Sequence, residues 1–134
     1  MPLTFSQGQE RRLDMDIIPI IPPEEAAFSI RILSTSSPVP AGQYLTIHFQ
    51  VTNLSDFRSG YDIMHYLDGV PSASRPFSMD AISPGQTVID PGPWFRGGVT
   101  LGRSTPATKT YKICTISIPN GAHRNCDETV IRWT

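Results

Sequence analysis

Residues 44–53 read YLTIHFQVTN, and this stretch constrains the fold more than any other. Leu45, Ile47, Phe49 and Val51 fall on one side of an extended chain; Thr46, His48, Gln50 and Thr52 fall on the other. Apolar residues two apart line one face of a strand, whereas on a helix they would scatter around the axis. A strand with one dry face needs a second layer to cover it. The same period appears in FSIRILS, where Phe28, Ile30 and Ile32 alternate with Ser29, Arg31 and Leu33. YDIMHYLDG is a further strand, ended by Asp68-Gly69. Its facing is ambiguous: Tyr61, Ile63, His65 and Leu67 make one candidate inner row, while Met64 and Tyr66 compete from the other side.

Proline and glycine punctuate the rest. SSPVPAG and SPGQ are turns, the latter with Pro84 presetting one dihedral and Gly85 free to take positive φ. VPSASRPFSMDAI reads as a broken edge strand, because its two prolines cannot donate to a ladder. TVIDPGPWFRGGVTLG reads as a strand interrupted at DPGP and resumed around Phe95 to Leu101. TKTYKICTISI and CDETVIRWT are the last two strands, joined through PNGAHRN. About seven short strands, no helix and no repeat predict an all-β fold, an immunoglobulin-like antiparallel β-sandwich over residues 26–134.

Size and charge bound the function. The 134 residues suit one domain plus an appendage. A net charge of −1, with 17% charged residues, offers no basic field for nucleic acid. Nothing approaches a run of about 18 apolar residues, which excludes a conventional helical membrane span. The start, MPLTFSQGQERRLDMDII, lacks the order of a secretory signal, so the expectation is a protein made and used, or assembled, inside a cell.

The two cysteines, Cys114 and Cys126, are equidistant from Asn120, so a hairpin pivoting there sets them opposite each other. A disulfide between them is one reading. A reducing cytosol favours the other, two small half-buried thiols.

The order PAGQYLTIHFQVTN, YDIMHYLDGV, ISPGQTV, TKTYKICTIS, CDET resembles the cell-adhesion-related CARDB group of immunoglobulin-like domains. Val51 to Asn53, Leu67 to Gly69, Pro84 to Gln86, Tyr111 and Asp127-Glu128 carry the resemblance, which covers about residues 40–130. It implies an interaction or spacer module without catalytic residues.

The chain offers little chemistry. His48, His65 and His123 are scattered and lack metal-ligand spacing, and Asp14 and Asp16 lack the glycine and later glutamate of a calcium loop. No metal or cofactor is expected. No G-x-S-x-G, P-loop or G-x-G-x-x-G occurs, so no enzyme is expected. RGGVTLGRS could cradle an anion or simply connect strands, and NLS at Asn53 is a glycosylation acceptor only in a secreted protein. Trp94, Phe95 and Arg96 follow DPGP; they form either an exposed aromatic platform for a sugar or a bulky plug in the open end of the sandwich.

Residues 1–25 differ from the body. Pro19, Pro22 and Pro23 forbid a stable helix, which predicts an extended arm. Five acids against two arginines give the arm −3, leaving nine basic and seven acidic residues, +2, for residues 26–134. Leu13, Met15, Ile17, Ile18, Ile20 and Ile21 need a surface to stay dry; either the arm folds over its own sandwich or it lies on another chain, and the second reading leads. The leading expectation is therefore a non-enzymatic docking protein, a capsid decoration (cement) or tail accessory protein of a phage. Its partner is then a major capsid or other repeating structural protein, with a homo-oligomer as a further option and the virion as its location. The alternative is an extracellular or cell-surface carbohydrate-binding or adhesion module using the aromatic patch, with weak glycan binding.

Overall fold

The computed structural model describes residues 24–134. Nine strands run through them: β1 Phe28–Thr35, β2 Tyr44–Asn53, β3 Ser59–Leu67, β4 Val70–Pro71, β5 Phe77–Ile82, β6 Thr87–Ile89, β7 Val99–Gly102, β8 Ala107–Ile116 and β9 Arg124–Trp133. They form two antiparallel sheets. One has the order β9-β8-β3-β4, with β5 also paired to β3; the other has the order β1-β2-β6, with β7 also paired to β2. Counting β4 with β5 and β6 with β7 as interrupted strands recovers the seven expected from the sequence. The fold is an all-β, immunoglobulin-like sandwich.

Period-two patterning explains which face is dry. Leu45, Ile47, Phe49 and Val51 are fully buried and pack with Tyr61, Ile63, Tyr111, Ile113 and Ile131 of the facing sheet. Tyr61, Ile63 and His65 point inward, which makes theirs the inner row. Met64 is buried too, but it pairs with Cys114 in the outward row of its sheet. On β1 Leu33 is exposed, as its place among the outward residues predicts, and a bulge between Ile32 and Ser34 shifts the register beyond Ile32.

Two expectations are corrected. The interrupted strand resumes at Val99 rather than Phe95, because residues 90–98 form a turn: Phe95 N–H bonds Pro91 O (3.1 Å) and Gly98 N–H bonds Phe95 O (2.9 Å). Cys114 and Cys126 are bridged rather than free thiols. The β8–β9 register sets them directly opposite, with Cα atoms 4.0 Å apart, and the bridge staples the outward side of the last hairpin. The register about Asn120 brings the two sulfurs together, against the expectation of free thiols.

The sandwich takes in the end of the segment read as the arm. Glu25 is only 7% exposed. Its carboxylate accepts bonds from Ser117 Oγ (2.7 Å), Asn120 N–H (2.8 Å) and Ala122 N–H (2.9 Å), which fasten it to the β8–β9 turn. The Ser117 bond foremost, then the Ala122 amide, holds its pKa below the usual carboxylate value.

Candidate ligand-binding edge

The loop DPGPWFRGG, residues 90–98, crosses the edge where β5 and β6 meet, and its anchors explain its shape. Asp90 takes positive φ (46°) and is tied to β2 three times. Its amide donates to Phe49 O (2.9 Å), its carboxylate accepts from Phe49 N–H (3.1 Å), and its other oxygen bonds His48 Nδ1 (2.7 Å). At the far end, Gly98 (φ 97°) lies so close to β2 that a Cβ would sit 2.7 Å from Ile47 O. Only glycine fits there.

Between these anchors, neighbouring side chains part company. Phe95, 5% exposed, drops into the core against Phe49 (centroids 5.5 Å), Phe77 (5.4 Å) and His65 (5.6 Å). Phe95 is therefore a plug and not a ligand contact, which corrects half of the platform reading. Trp94 is 60% exposed. Its Nε1–H donates to Ser78 O (2.9 Å) and its ring sits beside Phe77 (5.9 Å), so an exposed aromatic face is held in one orientation. It borders a shallow groove of about 410 Å³ formed with residues 73–78.

A second depression of about 320 Å³ lies on the other side of the loop, lined by Tyr61, Asp80, Ile82, Val88, Pro91 and Arg96, among others. The Arg96 guanidinium lies flat on Gly92, where a Cβ would come within 2.7 Å of its Nε. Tyr61 is 1% exposed and its hydroxyl has no hydrogen-bond partner among the described residues. Burial, with Asp80 adding to it, pushes the Tyr61 pKa up, so the phenol stays neutral.

The remaining candidates resolve as follows. Leu13, Met15, Ile17, Ile18, Ile20 and Ile21, like Asp14 and Asp16, lie outside the described residues. Asn53 is fully buried; its amide donates to Phe57 O and Ile82 O (both 2.9 Å) and accepts from Ser55 N–H, so it cannot carry a glycan. His65 is buried and bonds the Tyr111 hydroxyl through Nδ1 (2.8 Å); burial lowers its pKa to about 4. His123 is exposed. Among the described residues no group of three or more His, Cys, Asp or Glu side chains is placed to hold a metal ion.

The sequence alone does not single out Tyr61 or Asp80, which line the second depression. Alternation alone casts Tyr61 as core, and nothing local marks its hydroxyl as the atom left without a partner.

Among solved structures, the chain is similar to the CARDB domain of a Pyrococcus furiosus protein, solved in complex with di-metal ions. The TM-score is 0.52 at 7% identity, covering 85% of this chain and 96% of that one. The fold is CARDB-like. β-Glucosidases from Listeria innocua (TM-score 0.46, 18% identity) and Erythrobacter marinus (0.43, 18%) are weaker likenesses, and the chain spans only 20% and 16% of their lengths. No family model matches the sequence, and no curated protein matches it.

Proposed function

We propose that this chain is a non-catalytic binding module of the adhesion type, and that its binding surface is the aromatic shelf of Trp94 and Phe77, which receives the apolar face of a sugar ring. One observation carries the reading: Trp94 is exposed, yet its orientation is fixed by the Ser78 bond and the Phe77 ring. A pre-oriented aromatic face loses little freedom on binding. The CARDB-like fold fits a binding role, and the Cys114–Cys126 bridge fits an oxidising exterior such as a cell or particle surface. Screening the full chain on a glycan array tests this. Binding that disappears in Trp94→Ala, with the fold intact by circular dichroism, supports it; no binding to any glycan, or binding unchanged by the substitution, rejects it.

A second reading rests on Glu25. Its bonds to Ser117, Asn120 and Ala122 fasten the start of the described residues to the sandwich. In that reading Leu13, Met15, Ile17, Ile18, Ile20 and Ile21 dock on a repeating protein surface, such as a phage capsid that the protein decorates. Deleting residues 1–23 then abolishes particle binding while the body stays folded; undiminished binding by the truncated chain removes the reading.

A further inference from the structure

The groove beside Trp94 presents its chemistry where an incoming molecule can reach it. Residues 73–78 and Trp94 line it. Trp94 and Arg75 are exposed and Phe77 is half-buried. Among the described residues Arg75 is the one charged side chain in that lining, and it forms no salt bridge there. Two carboxylates stand on the neighbouring strand pair, Asp62 opposite Ser78 and Asp80 two residues further on, and neither lines the groove. Asp80 belongs to the depression across the loop. The groove is therefore aromatic and positive.

The backbone that carries Arg75 is held on both sides. Ser72 donates to His65 O through its amide and through its hydroxyl (both 2.9 Å). Phe77 enters β5 opposite Ile63, and its ring packs on His65 (5.8 Å) and Phe95 (5.4 Å) as well as Trp94. Pro76 confines the residue before it, Arg75, to extended backbone. The guanidinium thus swings only on its own side chain, from a fixed root in the groove wall.

These two features together narrow the ligand. A neutral sugar would use the rings and leave the guanidinium in water. A sugar acid uses both: its ring lies on Trp94 while its carboxylate meets the guanidinium fork, whose parallel N–H groups match two coplanar oxygens. In a hexuronate the carboxylate is bonded directly to the ring, so stacking the ring also places the charge. A sulfate ester hangs from a rotatable oxygen and has more freedom to lose on binding. The volume of about 410 Å³ lies toward the small end of ligand sites and admits a ring with its carboxylate.

We infer that the Trp94 groove selects an acidic sugar, a hexuronate whose ring stacks on Trp94 and whose carboxylate pairs with Arg75. This rests on the shelf reading and narrows it from sugars in general to uronic acids.

The test is a ¹H–¹⁵N titration of the full chain with the methyl glycosides of glucuronic acid, galacturonic acid, glucose and galactose, and with glucose 6-sulfate. The signals to follow are the Trp94 indole and the Arg75 and Phe77 amides. At least one uronide should bind about fivefold tighter than its neutral counterpart at low salt, an advantage that shrinks at high salt. Arg75→Gln should erase the advantage and leave the neutral glycoside's affinity unchanged. Equal affinity for uronide and neutral glycoside, a preference that survives Arg75→Gln, or a sulfate bound as tightly as the carboxylate overturns the inference while the shelf stands. So does a glycan array on which every ligand is neutral. If no glycoside moves the Trp94 indole, the selectivity for uronic acids fails; if the glycan array is blank as well, the shelf fails with it.

Discussion

The two edges at which the sheets meet are closed by different means. Along the β1–β9 edge, polar groups stitch one sheet to the other. Asn125 Nδ2 donates to Phe28 O (2.6 Å), the Asp127 carboxylate accepts from Ile32 N–H (2.8 Å), and Ser37 Oγ accepts from Arg132 N–H (2.9 Å). Val39 and Trp133 then complete a parallel bridge, with Val39 N–H to Arg132 O (3.1 Å) and Thr134 N–H to Val39 O (2.8 Å). Along the β5–β6 edge, Asn53 of β2 donates to Ile82 O of β5 (2.9 Å) at one end, while a glycine- and proline-rich loop and a cluster of aromatic rings cover the rest, and the Tyr61 hydroxyl has no partner among the described residues. Where each sheet satisfies the other's polar atoms, the edge is structural. Where rings fill the gap, a hydroxyl is stranded.

The contrast is broken most forcefully at Trp133. It is buried on the stitched edge and donates through Nε1 to Gln43 O (3.1 Å). Trp133→Ala should cost about 3–5 kcal/mol in a denaturant melt, from cavity and lost burial together. Trp94→Ala, on the loop-covered edge, should cost under about 1 kcal/mol. Equal losses would show that the two edges do not divide the work in this way.

Acid should expose the aromatic cluster next. Buried among Phe77, Phe95 and Tyr111, His65 is neutral when folded, with its pKa lowered to about 4 by burial. The unfolded chain binds a proton near its ordinary value of 6.5, so it holds more protons than the folded chain between 6.5 and 4. Stability is therefore complete above pH 6.5, falls by about 3 kcal/mol on the way to pH 4, and loses no more from this group below that. Urea melts across this window should flatten in His65→Gln; an unchanged slope would assign the acid sensitivity elsewhere.

The staple on the last hairpin comes third. Cys114 and Cys126 close a loop with a sequence separation of 12, so the C114A/C126A variant should lose about 2–3 kcal/mol, read as a lower urea midpoint. A variant as stable as the parent would mean that β8 and β9 hold without it.

The smallest effects sharpen the comparison. Asp127→Ala strands the Ile32 amide and should cost about 1–2 kcal/mol. Tyr61→Phe removes a hydroxyl that already lacks a partner, so stability should change by less than about 0.5 kcal/mol or rise slightly. A large loss in Tyr61→Phe would mean that its hydroxyl is satisfied after all.

Local pattern made much of the fold legible. The rows Leu45 to Val51 and Tyr61 to His65 are a local property, and so is the pivot at Asn120 that sets Cys114 against Cys126. What stayed hidden depends on separations that no window spans. The carboxylate of Glu25 caps a turn more than 90 residues away, and Asn125 and Asp127 reach β1 across a similar interval. Trp94 and Phe95 are neighbours in the sequence, yet only the Asp90 and Gly98 anchors that set the turn send one to solvent and the other to the core. Tyr61 and Asp80 meet only because β3 and β5 pair, with a bulge in their register between Ser59 and Tyr61.

The stitched edge has a mechanical consequence. β1 and β9 run in the same direction along it: Phe28 lies by Asn125, Ile32 by Asp127, and Val39 by Trp133. A tension drawn between Glu25 and Thr134 would slide these strands past one another lengthwise, so the crosslinks share the load and break together instead of peeling one by one.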